Sequence, residues 1–232
     1  MPEILAHRGN VGGPCPATEN SVPAIAAALS HGWGIEIDIR RDAAGRFYIA
    51  HDALRDGGPP PTPADDVCVL LRRHPRATVA LNIKERGYER ALLAYLRTQR
   101  VLEQVFLFDM ELIEPVAGAS AAHFHALDRD VRLAARVSDR AEPAARALGI
   151  AAAGIIWLDE FDGAWATAGD VRLMKGAGRR VFAVSPELHG RSLEAARHRW
   201  EALVACGVDG ICTDYPAALA AYLQDTAAGV PA

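Results

Sequence analysis

The chain has 232 residues, half of them hydrophobic and 23% charged, enough apolar material for a sizeable core and far from the composition of a disordered chain. A formal net charge of -4 excludes the strong positive excess of a nucleic-acid backbone binder. No run reaches the length of a membrane span, the first residues lack a leader pattern, and Cys15, Cys68, Cys206 and Cys212 lack paired metal-type spacing. The expectation is therefore one cytoplasmic domain over residues 1–232, with reduced thiols and no stable membrane insertion.

The first apolar run, Ile4 to Ala6, ends in His7 and Arg8. A helix follows, with Ser21 as its cap, Pro23 in its first turn and Gly32 as its stop. The second run, Ile35 to Ile39, carries Glu36 and Asp38. "RRDAAGRFYIAHD" then reads as a strand end, a turn at Ala44 and Gly45, and an extended return to His51 and Asp52. "DGGPPPTPADD" reads as a rigid, helix-breaking connector. Further runs cover Val79 to Ile83, Val105 to Phe108, Leu133 to Val137, Ile155 to Leu158, Val181 to Val184 and Gly210 to Cys212, with a helix from Ser192 to Gly207 before the last. Eight strand candidates alternating with helical stretches predict a (β/α)8 barrel. The alternative, a doubly wound open sheet, usually has fewer strands, and no GxGxxG turn follows the first one.

In such a barrel chemistry gathers at the carboxyl ends of the strands. There the sequence places His7 and Arg8, Glu36 and Asp38, His51, Asn82 and Lys84, Trp157 and Asp159, Ser185 and Glu187, and Thr213 and Asp214. Glu36 and Asp38, two apart on a strand, share a face and repel unless a cation lies between them. Oxygen ligands of this kind suit Mg2+ or Ca2+. An ion pair with Arg8 or Lys84 and no metal is the open alternative. His7 and His51 beside the acidic pair make an acid and base set for phosphoryl chemistry.

"AHRG", "ENS", "GIEIDIRRD" and "FYIAHD" resemble, in that order, the HRG, ENT, ExD and HD signatures of the glycerophosphodiester phosphodiesterase (GDPD) family, and "GVDGICTDYP" is similar to its closing strand. The resemblance implies a phospholipase C-like phosphodiesterase barrel with a divalent ion, Mg2+ or Ca2+, on Glu36 and Asp38. By the same pattern His7 and His51 are general acid and base, in an order left open, and Arg8 and Lys84 bind the substrate phosphate. The family's third strand ends in Glu-x-Lys, whereas "NIK" puts Asn82 in the glutamate's place. An amide oxygen can ligate the ion but removes one negative charge, so either the metal is held less tightly or another acid compensates, Glu187 and Asp159 being candidates. "LNIK", "WLDEF" and "VSPELHGR" resemble a bacterial branch of GDPD-like proteins.

Glu187, Trp157 and Asp214 complete the expected substrate-binding set. Trp157 and Phe108 also suit rim packing, Asp214 suits the holding of a basic side chain, Glu19 and Asn20 suit loop and helix-start organisation, and His189 is equally well placed as a surface-loop residue. The expected function is metal-dependent hydrolysis of a small glycerol or sugar phosphodiester, a reaction of lipid metabolism. A lyase releasing a cyclic phosphate and a non-catalytic phosphate-ligand binding protein are the alternatives. The sequence assigns no oligomeric state.

Overall fold

The computed structural model describes residues 1–54 and 60–229. In chain order the strands are β1 (Glu3–His7), β2 (Gly34–Arg41), β3 (Phe47–Ile49), β4 (Thr62–Pro63), β5 (Val79–Ile83), β6 (Val105–Phe108), β7 (Arg132–Ser138), β8 (Ile155–Asp159), β9 (Arg180–Val184) and β10 (Gly210–Thr213). The helices are α1 (Val22–Ser30), α2 (Ala64–Arg73), α3 (Glu89–Thr98), α4 (Ala119–Leu127), α5 (Ala144–Gly149), α6 (Ala168–Gly176), α7 (Leu193–Cys206) and α8 (Pro216–Ala227).

Eight of the strands are parallel and form a ring in the order β1, β10, β9, β8, β7, β6, β5, β2, closed by the pairing of β1 with β2. This is a (β/α)8 barrel. All eight predicted runs are its staves. Ser21 caps α1 with its hydroxyl, and Ser192 does the same for α7, which ends at a left-handed Gly207. No helix among the described residues is long and apolar enough to cross a membrane.

One segment differs from its predicted form. The return strand β3 pairs antiparallel with β2 and is itself paired with β4, so Thr62 and Pro63 are not connector. The helix α2 begins directly after them. Pro63, with φ of -61°, occupies the cap position, Asp65 and Asp66 lie in the first turn, and Arg72 and Arg73 in the last, charges that suit both ends of the helix dipole. The first part of the proline-rich stretch, residues 55–59, lies outside the described residues.

Alternation along each stave decides what reaches the barrel axis. In β2, Ile35, Ile37 and Ile39 point outward into the layer covered by helices, which leaves Glu36 and Asp38 pointing inward. In β5, Val79, Leu81 and Ile83 point outward, so Ala80 and Asn82 point in. The lumen is filled by Leu5, Phe106, Phe108, Trp157, Phe182 and Cys212, with the Phe108 and Trp157 rings 4.2 Å apart. It is a packed core, not a channel. Gly210 is part of this fit, because a Cβ there would lie 2.3 Å from the Phe182 ring. Polar groups begin only above this apolar plug, at the carboxyl ends.

Candidate active site

The first wall of the site is built by β1, β2 and β5. Register places His7 beside Glu36 and Asp38 beside Asn82. Arg8 adopts a left-handed conformation, φ 51°, and its N–H donates to the Glu36 carbonyl while its own carbonyl accepts from the Asn20 N–H. Such a backbone costs about 1–2 kcal/mol for a non-glycine residue, so these surrounding bonds are what hold it. The next residue, Gly9, lets the turn lie against the start of α1: a Cβ there would come within 2.9 Å of the Ile25 nitrogen.

Asp38 is 1% exposed and heavily partnered. Its carboxylate accepts from the Asn20 side-chain amide at 3.0 Å, and it lies 3.4 Å from Arg8 Nε and 3.1 Å from Lys84 Nζ. Burial pushes its pKa up, but Lys84, Arg8 and the Asn20 bond outweigh that and hold it below the usual range. Arg8 is in turn fixed by Glu19 at 2.8 Å. Glu19 and Asn20 therefore do more than start α1: they position the cation and one carboxylate of the site.

Glu36 lacks such company. Its nearest polar contacts are the Arg8 N–H at 3.4 Å and His7 Nε2 at 3.8 Å. Burial, reinforced by repulsion from Asp38, pushes its pKa up to about 7. The buried Asp38 Oδ1, although close to Lys84, accepts no aligned hydrogen bond. Among the described residues no three His, Cys, Asp or Glu side chains gather as a metal cluster; the third oxygen at this pair is the amide of Asn82. An undercompensated carboxylate, a carboxylate oxygen without a hydrogen bond and an amide form a donor set of hard oxygens that fits a divalent cation.

Asn82 is oriented by a residue outside the expected set. Its Nδ2 donates to Asp109 at 3.0 Å, and Asp109 is anchored on its other oxygen by Arg136. An ionised carboxylate only accepts, so Asp109 fixes which end of the amide it takes and turns the Asn82 oxygen the other way. Asp109 occupies a left-handed position, φ 65°, directly after β6.

His7 donates from Nδ1 to Asp214 at 2.7 Å, and Asn10 donates to the same oxygen at 2.8 Å. Burial pushes Asp214 up, but its bond to His7 wins and holds its pKa down, so it stays an acceptor and fixes the Nδ1–H tautomer. Nε2 is then the nitrogen left on the Glu36 side. Burial would lower the imidazole's pKa, yet the Asp214 bond and the Glu36 charge raise it overall. His51 also lines the cleft, but its side chain is 45% exposed against 18% for His7, and its ring bonds to the exposed Asp52. Its backbone is tied to β2, because Arg40 donates twice to the His51 carbonyl.

On the opposite wall the sequence offered Trp157, Asp159 and His189 as candidates but not Asp109, Arg136 or Glu142, which bind it together. Arg136, 3% exposed on β7, donates to Asp109, to Glu142 at 2.9 Å and to Asp159 at 2.5 Å. Asp159 accepts in addition from His189, whose ring lies 4.5 Å from that of Phe161. A cleft of about 260 Å³ joins the two walls, lined by His7, Arg8, Glu36, Asp38, Lys84 and His189 among others, with Trp157 at its floor. Glu187 and Asp214 are not among its lining residues. Glu187 accepts from Ser185, Thr213 and the Asp214 N–H, so it braces the ends of β9 and β10 and has no free oxygen for a metal. Asp159, committed to Arg136 and His189, does not compensate for Asn82 either. The signal that could have found this wall is parity: an arginine at the inward position of "LAARV" has to meet carboxylates.

The barrel resembles known structures. It is similar to two glycerophosphodiester phosphodiesterases of Parabacteroides distasonis: one at 14% identity over 97% of this chain and 98% of the other, TM-score 0.73, and one at 18% identity over 97% and 87%, TM-score 0.72. The chain carries the fold of these phosphodiesterases. It is also similar, at 17% identity over 97% of each chain and TM-score 0.68, to an Oleispira antarctica phosphodiesterase in complex with its product sn-glycerol-3-phosphate. No family model matches the chain, and no curated protein does.

Proposed function

We propose that the protein is a phosphodiesterase that hydrolyses a small glycerol phosphodiester. The observation that carries this reading is the convergence of His7, Arg8, Glu36, Asp38 and Lys84 on one cleft at the carboxyl ends of β1, β2 and β5. The product-bound Oleispira relative of the fold supports the substrate class.

Arg8 and Lys84 supply two positive charges at the cleft, both already balanced against Asp38. A phosphodiester anion entering there meets a guanidinium fork and an ammonium that need no reorganisation to stabilise the charge on its non-bridging oxygens. Glu36, Asp38 and the Asn82 amide oxygen would hold a divalent cation, Mg2+ or Ca2+, which when bound supplies a Lewis acid for a phosphoryl oxygen. His7, held by Asp214, presents Nε2 as the base that takes a proton from the attacking water. His51 sits at the open edge of the same cleft.

Phosphorus NMR of the protein with a panel of glycerophosphodiesters tests the reading. A monoester that appears with Mg2+ or Ca2+, disappears with chelator and is absent in His7→Ala is the expected result. A panel left intact by the wild-type protein under every metal condition overturns it.

A further inference from the structure

The expected second acid–base group, His51, is the more exposed of the cleft's histidines, and its imidazole is paired with an exposed aspartate. A third histidine in the cleft is better built for proton transfer. His189 follows β9 in a short turn, Pro186–His189, and its side chain is 18% exposed, the same as His7. Its Nε2 bonds to Asp159, as the Nδ1 of His7 bonds to Asp214. Asp159 is itself fixed by Arg136 and by the Glu160 N–H at 2.9 Å. The ring packs on Phe161, and Phe161 in turn lies under the guanidinium groups of Arg136 and Arg140 at 4.8 and 4.2 Å. The imidazole is thus held at one nitrogen and at one face. Its Nδ1 has no protein partner among the described residues and is not sealed from the cleft.

Its location matters as much as its partners. Counting round the ring, β8 lies directly across the barrel axis from β2, and β9 directly across from β5. A phosphate held by Arg8, Lys84 and the acidic pair therefore has its bound oxygens on one wall and His189 on the other. Displacement at phosphorus needs one group for the nucleophile and one for the leaving oxygen, and His7 on β1 and His189 after β9, with β10 between them, are two separate imidazoles lining one cleft.

We infer that His189, backed by Asp159, is a catalytic residue that protonates the departing alkoxide from the wall opposite Glu36 and Asp38. The inference rests on the phosphodiesterase reading. Water loses a proton to His7 Nε2 as its oxygen bonds to phosphorus. The bond from phosphorus to the ester oxygen breaks with its electron pair left on that oxygen, which takes the proton from His189 Nδ1. Proton return from His7 to His189 through solvent restores both rings.

The test compares two glycerol phosphodiesters, one with ethanol as the leaving alcohol and one with p-nitrophenol, which departs as the anion and needs no proton. His189→Gln, which keeps a donor for Asp159, and His189→Ala are measured beside His51→Ala, with circular dichroism to verify folding. Loss of about 10²–10⁴ in kcat on the ethyl ester with little change on the p-nitrophenyl ester supports the inference. If wild type turns over both esters and the His189 variants keep full rate on the ethyl ester, or lose the same factor on both, the inference is overturned and the phosphodiesterase reading stands. If wild type turns over neither, the reading falls and the inference with it.

Discussion

Arg136→Met probes the part of the site that no motif announces. Arg136 is buried on β7 and is the common cation of Asp109, Glu142 and Asp159, three carboxylates that are each under a tenth exposed. Methionine replaces the volume but leaves that charge without its cation. Removing one partner of a buried ion pair costs about 3–5 kcal/mol, because the partner stays behind without compensation. At about 2–4 °C per kcal/mol for a chain of this length, Tm should fall by roughly 6–20 °C. The loss should also depend on pH in a defined direction. Burial already pushes Asp109 up in the presence of Arg136, which opposes that shift. Without the arginine the folded-state pKa of Asp109 rises further above its unfolded value. Carboxyls of that kind bind more protons folded than unfolded, so stability falls as pH rises through the interval. The deficit should therefore be largest near pH 7.5 and shrink toward pH 5. Urea unfolding at both pH values measures it. Adding Asp159→Asn to Arg136→Met should recover part of the loss, since the two residues share one network. A deficit under about 1 kcal/mol, or one equal at both pH values, would refute the idea that the arginine compensates buried charge.

Other consequences are open to direct measurement. Asn82→Asp alone should lower stability, because it sets a carboxylate against Asp109, whereas Asn82→Asp with Asp109→Asn restores the hydrogen bond and places the added charge at the acidic pair. Calorimetric titration with Ca2+ should show the double variant binding more tightly than wild type. Gly9→Ala should lower the urea midpoint by an amount worth at least about 1–2 kcal/mol, from its positive φ alone, with the contact to Ile25 adding to it. Asn20→Ala removes a hydrogen bond to the buried Asp38 and should cost about 1.5–3 kcal/mol by the same assay, with a fall in kcat on the glycerol diester.

The fold was legible because a parallel barrel asks little of its sequence: eight apolar runs separated by helical stretches, each run buried on both faces. That condition is met at Ile35–Ile39 and Val79–Ile83 in plain view. The start of α2 was hidden for a specific reason. Pro59 to Pro63 reads as a break, and a proline just before the first helical residue both ends a strand and starts a helix, two roles that the residue type alone does not separate.

The two walls of the site differ in how their residues are encoded. On the first wall, chemistry is carried by residues adjacent in sequence: His7 with Arg8, Glu36 with Asp38, Asn82 with Lys84. A short motif therefore records a whole piece of geometry. The second wall is assembled from single residues on separate elements, Asp109 after β6, Arg136 on β7, Asp159 ending β8 and His189 after β9, and no two of them are neighbours in the chain. Each alone has an ordinary explanation as a surface charge or a loop histidine. The pairing of β6 with β7, β7 with β8 and β8 with β9 brings them within bonding distance, and burial then makes the contacts costly to lose, since an unpaired charge at that depth is unfavourable. The pairing of β5 with β6 likewise answers why β5 ends in an amide. Asn82 reaches the other wall through its bond to Asp109, and a carboxylate in its place would face that aspartate, which Arg136 already holds. The amide lets the acidic pair of one wall and Asp109 of the other stand close together without a further carboxylate repelling across the seam.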